Sequence, residues 1–242
     1  MNLIIDVGNS RIKLAVFSSK GLISKKVIQV TELKETVSLL LNTYSSLNHA
    51  IISSVGAIKK KDLKELEGML PLMVLTHDLK LPFKNKYGTP KTLGVDRIAL
   101  VSASIERFVN NNVLIIDAGT CITYDFVNAK NEYLGGAISP GIRMRYESLN
   151  NFTSNLPLLE TKPPRHFIGK STAGSIHSGV INGILKEIDG IIEDYQKNYE
   201  HLTVILTGGD VNLLSKRLKS SIFANSNFLL EGLNYILEFN KK

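Results

Sequence analysis

The sequence contains few of the features that mark cross-linked or membrane-spanning proteins. Among its 242 residues there is one cysteine, Cys121, so no disulfide can form within the chain and a reducing compartment is expected. No apolar run reaches the roughly 20 residues that a membrane-spanning helix needs. The first residues lack a basic segment, and Asp6 interrupts their apolar run, which argues against a signal peptide. Together these absences predict a cytoplasmic protein without a membrane partner.

Several catalytic motifs are missing as well. The sequence has no Cys-x-x-Cys pair, no nucleophile elbow and no histidine cluster with zinc-ligand spacing. The run Gly169-Lys170-Ser171 resembles the end of a phosphate-binding P-loop, but that motif requires a glycine where Pro164 stands. A nucleotide site in this chain must therefore be built from another kind of loop.

The charge of the protein is positive but not concentrated. Lysine and arginine number 29 against 22 aspartate and glutamate residues, which gives a formal net charge of +7. The basic residues are scattered, and no basic helix with interleaved aromatic residues is present, so a nucleic-acid partner is not expected. The remaining positive field favours an anionic ligand such as a nucleotide.

An internal repeat organises the chain. Residues 3–9, Leu-Ile-Ile-Asp-Val-Gly-Asn, are echoed by residues 114–120, Leu-Ile-Ile-Asp-Ala-Gly-Thr. Each copy is an apolar strand that ends at an aspartate, followed by a glycine-containing turn and a second strand. Apolar periodicity and turn residues predict further elements, which are strands at 12–17, 50–55 and 203–206 and helices at 31–46, 60–70, 96–109 and 172–195. Mixed strands and helices indicate an α/β fold, and the repeat predicts two duplicated domains, 1–110 and 111–242.

The first copy of the repeat could bind a phosphate group. Gly8 permits a backbone conformation closed to other residues, so the N–H groups of the turn can converge on an anion, with Asn9, Ser10 and Lys13 as further donors. Asp6 would repel a phosphate unless a cation such as Mg²⁺ lay between them. Taken alone, the same residues are also typical of an ordinary hairpin turn. The second copy favours two loops that hold two ends of a polyphosphate.

Two further segments carry polar groups at the ends of predicted elements. In Gly94-Val95-Asp96-Arg97 the aspartate could be a helix N-cap. It could equally accept a hydroxyl proton from a substrate whose carboxylate the arginine binds. Residues 207–210, Thr-Gly-Gly-Asp, follow a predicted strand and would let an adenine or ribose approach the backbone closely, although a plain turn has the same pattern.

Together these motifs resemble the type III pantothenate kinase family, part of the acetate and sugar kinase, heat-shock protein and actin superfamily. The match is carried by motifs that occur in the family's order between residue 3 and about residue 210. They are Asp6-Val7-Gly8-Asn9-Ser10, Tyr87 with Pro90, Leu93-Gly94-Val95-Asp96-Arg97, Asp117-Ala118-Gly119-Thr120, Gly135-Gly136-Ala137-Ile138-Ser139-Pro140-Gly141, and Gly169-Lys170-Ser171-Thr172 with Ser178-Gly179. The resemblance implies an actin-like ATPase fold, with two duplicated ribonuclease H-like domains and a cleft between them.

The resemblance also implies an activity, which is the ATP-dependent phosphorylation of pantothenate to 4'-phosphopantothenate, the first step of coenzyme A biosynthesis. Asp96 would be the proton acceptor. Asp117 would help to hold a monovalent cation, K⁺ or NH₄⁺, and Asp6 would hold Mg²⁺ through water. The residues that would bind ATP are Asp6, Val7, Gly8, Asn9, Ser10, Arg11, Ile12, Lys13 and Thr120. Those that would bind pantothenate are Tyr87, Gly94, Val95, Asp96, Arg97 and Thr172.

The family is homodimeric, and the apolar face of the helix that starts at Thr172 is the expected interface. Two residues depart from the family pattern, Ser171 and Gly174, and they bear on substrate contacts more than on phosphate chemistry. Three alternatives stay open. The chain could phosphorylate another small molecule of the same superfamily, act as a non-catalytic nucleotide-binding regulator, or, on charge alone, bind nucleic acid.

Overall fold

A computed structural model describes residues 1–9, 11–54 and 58–241, and their elements fall into two units. Unit 1 comprises Met1–Val109, Asn131–Tyr133 and the segment from Asn227 onward. Unit 2 comprises Asn110–Lys130 and Leu134–Ser226.

The strands and helices alternate along the chain. The strands are β1 (Asn2–Val7), β2 (Ile12–Ser18), β3 (Gly21–Ile28), β4 (His49–Ser54), β5 (Leu72–Val74), β6 (Lys84–Asn85), β7 (Asn112–Ala118), β8 (Cys121–Val127), β9 (Glu132–Pro140), β10 (Leu202–Thr207) and β11 (Phe223–Ala224). The α-helices are α1 (Leu33–Thr43), α2 (Lys60–Glu67), α3 (Val95–Arg107), α4 (Ile142–Asn151), α5 (Thr172–Asn198), α6 (Val211–Leu214) and α7 (Phe228–Asn240).

The sheet of unit 1 has the strand order β3-β2-β1-β4-β5. Strand β1 runs antiparallel to β2 and parallel to β4. It is buried along its whole length, because its apolar residues lie at the centre of the sheet with strands on both sides. Leu3, Ile5 and Val7 form one apolar cluster with Leu33 and Val37 of α1, and α7 also packs against β1 and β4.

The sheet of unit 2 repeats this arrangement. Its order is β9-β8-β7-β10-β11, with β7 antiparallel to β8 and parallel to β10. The first two residues of β9 belong to unit 1, where they pair in parallel with β6. Because β1 and β7 hold the same central place and the same strand directions, the duplication predicted from the repeat is confirmed.

The long helix α5 supplies much of the core of unit 2. Its residues Ile176, Val180, Ile184 and Ile188 are at most 6% exposed and belong to the same apolar cluster as Leu114 of β7. The prediction that this face forms a dimer interface is therefore wrong, because these isoleucines are buried in the core of unit 2 itself. The apolar stripe of an amphipathic helix packs on the core of its own domain, and here that core includes the neighbouring sheet.

The last helix departs from the predicted domain bounds. The chain passes from unit 1 to unit 2 after Val109, close to the predicted boundary. Helix α7 nevertheless belongs to unit 1, although the prediction placed its residues in the second domain, 111–242. It packs against α3, and Gly232 allows this because a Cβ there would overlap the carbonyl oxygen of Ala99. The division into domains at 110 and 111 remains a prediction.

Most predicted elements are present, with ends that differ by a few residues. The strand β3, the short strands and the helices α4 and α7 were not predicted from periodicity. The glycine-rich stretch at 135–141 forms most of β9 rather than a separate loop. In the described part of the chain, no helix is both long enough and apolar enough to cross a bilayer.

Candidate functional site

Asp6 lies at the end of β1 in a mostly apolar setting. It is 4% exposed, and its Oδ2 lies 3.3 Å from Nζ of Lys13, the residue directly opposite on β2. Burial raises the pKa of the Asp6 carboxyl, the charge and hydrogen bond of Lys13 lower it in part, and the negative charge of Asp96 raises it. Lys13 is thus the internal counter-charge of Asp6, and Asp96 is near enough to influence it.

The turn after β1 is a closed hairpin. The N–H of Gly8 donates to the carbonyl of Arg11 at 3.1 Å, so this donor is already used within the protein. The side chains of Val7 and Ile12 are buried, which leaves only their main-chain groups for a ligand. Ser10, predicted to bind phosphate, lies outside the described residues. Asn9 and Arg11 are exposed on the turn and could contact an anion.

Ser53 was not found from the sequence. It stands on β4 as the parallel partner of Asp6 and is completely buried. Among the described residues, its Oγ has no hydrogen-bond partner. A serine within an apolar strand gives no sequence signal, because only the register shows that it neighbours the carboxylate.

Asp96 lies in the first turn of α3, whose N-cap is Gly94. The suggestion that Asp96 is itself the N-cap is therefore wrong by two positions. Its Oδ1 accepts from the N–H of Arg97 at 2.8 Å and sits so close to Gly94 that a Cβ there would overlap it. Val95 and Asp96 are half-buried, so the carboxylate can still reach a ligand.

Arg97 and Tyr87 meet beside this turn. The guanidinium carbon lies 5.7 Å from the centre of the Tyr87 ring, which in turn stacks on Tyr133 at 6.0 Å. Arg97 is 5% exposed, so its side chain is held in a single direction. The predicted substrate residues of unit 1, including Gly94 and Asp96, are therefore neighbours.

The second copy of the repeat has a different surrounding. Asp117 on β7 lies opposite Thr123 on β8 and Thr207 on β10, both uncharged. Gly208 has φ +98°, which favours glycine, and a Cβ there would overlap Oδ1 of Asp117 and the carbonyl oxygen of Ala118. In the described part of the chain, the buried Oγ1 of Thr123 has no hydrogen-bond partner.

The segment 207–210 thus lies directly against the Asp117 turn. The N–H of Asp210 donates to the carbonyl of Ala118 at 3.0 Å. Burial raises the pKa of the Asp210 carboxyl. Close backbone contact between these two turns leaves no space for side chains at Gly208.

Thr120 is exposed on a tight turn that the glycine-rich stretch supports. Gly119 donates to the carbonyl of Cys121 at 2.9 Å, and Gly141 donates to the carbonyl of Thr120 at 3.1 Å. A Cβ on Gly141 would overlap both Gly119 and Thr120 carbonyl oxygens. Cys121, which follows this turn, is partly exposed.

An ionic network fixes the end of β9, and sequence reasoning missed it. Arg145 donates to Glu187 at 2.5 Å, to the hydroxyl of Ser139 at 3.0 Å and to the carbonyl of Pro140 at 2.9 Å. Tyr124 donates to the same glutamate at 3.0 Å. Burial raises the pKa of Glu187, but the hydrogen bonds from these groups outweigh it, and the net shift is downward. The network holds the strand end that supports the Thr120 turn.

Thr172 is the exposed first residue of α5. Its neighbour Ser171 is the N-cap, with Oγ accepting from the N–H of Gly174 at 3.1 Å. The departure from the family pattern at Ser171 therefore has a structural use, because serine is a favoured N-cap. His177 hydrogen-bonds the Tyr146 hydroxyl at 2.8 Å, which agrees with a structural role.

No cluster of three or more histidine, cysteine or acidic side chains suited to a metal occurs within 1–9, 11–54 and 58–241. A cation at Asp6 or Asp117 would thus have at most two such side chains as ligands. That donor set suits Mg²⁺ carried by a nucleotide, since Mg²⁺ keeps several waters and binds one or two carboxylates together with phosphates.

Comparison with known proteins agrees with this geometry. A family model described as type III pantothenate kinase matches residues 2–194. A type III pantothenate kinase of Flavobacterium johnsoniae is 48% identical over 99% of this chain and 98% of its own length. One of Christiangramia forsetii is 52% identical over 100% of this chain and 99% of its own. The crystal structure of a ROK family glucokinase from Streptomyces griseus covers 99% of both chains with a TM-score of 0.53 and 11% identity, which shows a shared actin-like fold.

Proposed function

Because this chain belongs to the type III pantothenate kinase family, we propose that it transfers a phosphoryl group from ATP to pantothenate and forms 4'-phosphopantothenate, the first step of coenzyme A biosynthesis. The observation that carries the proposal is the grouping in unit 1 of an accessible carboxylate, Asp96, with a buried guanidinium, Arg97, and the Asp6 turn. A proton acceptor and a carboxylate binder side by side suit a substrate that has both a hydroxyl and a carboxylate.

Asp96 is the proposed proton acceptor. The primary hydroxyl of pantothenate is a weak nucleophile while it keeps its proton, and an ionised carboxylate accepts a hydrogen bond without donating one. The N–H of Arg97 fixes one oxygen, Oδ1, at 2.8 Å, which leaves the other oxygen to aim the attacking hydroxyl. Phosphoryl transfer depends mainly on such positioning, so the acceptor takes the proton late.

Arg97 is the proposed partner of the substrate carboxylate. Arg97 is 5% exposed, and its guanidinium lies against the ring of Tyr87. These contacts hold the guanidinium in one orientation, which favours a bidentate contact with a carboxylate. The main chain at Gly94 and Val95 and the exposed hydroxyl of Thr172 are proposed as further pantothenate contacts. These side chains and main-chain groups would determine which hydroxy acid is accepted.

ATP is proposed to bind the residues from Asp6 to Lys13, with Thr120 from the second turn. Asn9 and Arg11 are exposed donors, and Lys13 offers a positive charge next to Asp6. Mg²⁺, bound to Asp6 through water, would neutralise charge on the transferred phosphate. Asp6 suits that task because its carboxylate is buried and its counter-charge, Lys13, is 37% exposed and can turn toward a phosphate.

A monovalent cation, K⁺ or NH₄⁺, is proposed at Asp117. Its cross-strand neighbours are Thr123 and Thr207, and both carry a hydroxyl group. The buried Oγ1 of Thr123 lacks a hydrogen-bond partner in the described residues, and an alkali ion accepts such hydroxyl oxygens as ligands. A carboxylate at a phosphate-binding turn is unfavourable unless a cation compensates it.

We further infer a homodimer in the cytoplasm, with an interface different from the one predicted on α5. Unit 2 exposes large apolar side chains along the segment 152–168, where Phe152, Phe167 and Ile168 are 72–87% exposed. Hydrogen bonds tie this segment to α4 and α5, from Asn150 to the Leu156 carbonyl and from Ser178 to the Phe167 carbonyl. Exposed apolar side chains of this size favour burial against a second copy.

A substrate panel tests the proposed function. ATP consumption should depend on pantothenate in the presence of Mg²⁺ and K⁺, and the product should carry phosphate on the primary hydroxyl. Consumption with a sugar or another hydroxy acid, but not with pantothenate, would favour another kinase of the superfamily. Nucleotide binding without turnover on any compound would favour a non-catalytic regulator.

A further inference from the structure

The buried hydroxyl of Ser53 lies on the strand next to Asp6. Its side chain is fully buried, and in the described ranges its Oγ makes no hydrogen bond. Ser102 on α3 is buried to the same extent, but its Oγ donates to the Ile98 carbonyl at 2.9 Å. Leaving a buried hydroxyl unpaired costs stability, so such groups in proteins generally serve a water, an ion or a ligand.

The register of the sheet places this hydroxyl next to Asp6. Asp6 and Ser53 are direct partners in the parallel pair β1 and β4, and neighbouring strands lie about 4.8 Å apart. Directly paired residues project from the same face, as Asp6 and Lys13 do across β1 and β2. The carboxylate is therefore flanked by an ammonium on one strand and by an unused hydroxyl on the other.

We propose that Ser53 is a positioning residue for the hydrated cation that accompanies ATP at Asp6. The inference rests on the proposed function and adds a residue to its site. A carboxylate can only accept hydrogen bonds, whereas a hydroxyl both donates and accepts. Ser53 can therefore orient a water in the ion's shell that Asp6 holds from the other side. Groups of this kind, one step from a metal ion, typically contribute about tenfold or more to metal affinity.

Binding of a non-hydrolysable ATP analogue, measured by calorimetry with Mg²⁺ and again with chelator, tests this role. Ser53→Ala should weaken binding about tenfold in Mg²⁺ and leave metal-free binding unchanged. The melting temperature without ligand should stay the same or rise, because an unpaired buried hydroxyl has been removed. Ser53→Cys, which is close in size but a weak donor, should lie between the alanine variant and the wild type.

Ser102→Ala is the matched control, since it removes a buried hydroxyl that is already paired. It should lower the melting temperature and leave the Mg²⁺-dependent affinity unchanged. Equal affinity of wild type and both Ser53 variants in Mg²⁺ would overturn the inference, as would an equal loss with and without metal. If Ser53→Ala does not fold, the cysteine variant decides by the same comparison. The proposed function is judged separately, by pantothenate-dependent turnover of the wild type.

Discussion

The turns after β1 and β7 share one sequence pattern but place different residues opposite their carboxylates. Val7 pairs with Ile12 across the first turn, whereas Ala118 pairs with Ile122 across the second, which is one residue shorter. In both copies the residue after the first isoleucine of the second strand stands opposite the aspartate, and this residue is Lys13 in the first copy and Thr123 in the second. The identity of this one residue, and not the length of the turn, therefore decides whether an ammonium group faces the carboxylate across the strands.

Helices α3 and α7 also differ, in the residues with which they begin. Helix α3 begins Val95-Asp96-Arg97, while α7 begins Phe228-Leu229-Leu230. The first acidic residue of α7 is Glu231, and this helix packs against α3. Duplication therefore supplied two scaffolds, and we propose that the first holds the reacting groups while the second holds a cation and part of the nucleotide.

The largest expected effect comes from removing the proposed base of the first half. Asp96→Asn should lower turnover by about 10²–10⁴-fold, because the amide keeps the size but cannot take a proton. Folding and ATP binding should be nearly unchanged. Turnover and melting temperature measured on the same variant separate this role from a structural one.

Asp62→Asn is the control for Asp96→Asn, since it removes a first-turn carboxylate from α2. It should leave turnover normal. A well-folded Asp96→Asn protein with near-normal turnover would falsify the assignment of the base.

A smaller effect is expected at the carboxylate-binding position. Arg97→Ala should raise the KM for pantothenate by about 10–150-fold, the equivalent of losing a charge-assisted contact of roughly 1.5–3 kcal/mol. The KM for ATP should change much less. Steady-state kinetics with each substrate varied in turn measures both constants.

Arg107→Ala, at the other end of the same helix, serves as its control because Arg107 forms an exposed ion pair with Glu231 at 2.8 Å. Both constants should stay normal in this variant. An equal rise of the two constants in Arg97→Ala would reassign Arg97 to the fold or to phosphate binding.

The smallest effect concerns stability. Burial raises the pKa of Asp6 above its ordinary value of 3.8, so the folded state binds the proton more tightly than the unfolded chain does. This difference in proton binding stabilises the folded state fully below pH 3.8, and the stabilisation is lost as the pH rises through the folded-state pKa of Asp6. Asp6→Asn avoids this loss and should melt higher than the wild type at neutral pH, while losing activity.

Melting curves between pH 3 and pH 7 check the sign for Asp6→Asn. Its advantage over the wild type should grow with pH, whereas the exposed Asp78→Asn control should show no such trend. An advantage that shrinks as pH rises would mean that Lys13 more than offsets the burial of the carboxylate.

The sequence predicted much of this arrangement because the repeated strand-Asp-Gly pattern is local. The central strands, the turns and the position of Asp96 near the start of a helix all follow from short stretches. The resemblance to a family then gave roles to residues that no pattern could assign. Family likeness could not show which residue stands opposite each of the two carboxylates.

The features that the sequence did not predict depend on strand register and on helix packing. The pairing of Asp6 with Lys13 and with Ser53 is fixed by strand alignment across distant residues. The apolar stripe of α5 is the same whether it meets its own sheet or a second copy, so the predicted interface failed. The return of α7 to unit 1 depends on Gly232, whose missing side chain matters only once α3 is beside it.

The central claim is that the two repeated turns serve different ions, with a monovalent cation beside Asp117 and Thr123 and the hydrated Mg²⁺ of ATP beside Asp6. Pantothenate-dependent turnover of the wild type should rise several-fold when K⁺ replaces a bulky organic cation at constant ionic strength. Thr123→Lys transfers the arrangement of the first half to the second, so this variant should turn over equally in both buffers. Thr123→Met, similar in length but uncharged, should not gain activity in the organic-cation buffer. Equal wild-type rates in the two buffers, or a Thr123→Lys protein that still requires K⁺, would contradict the account.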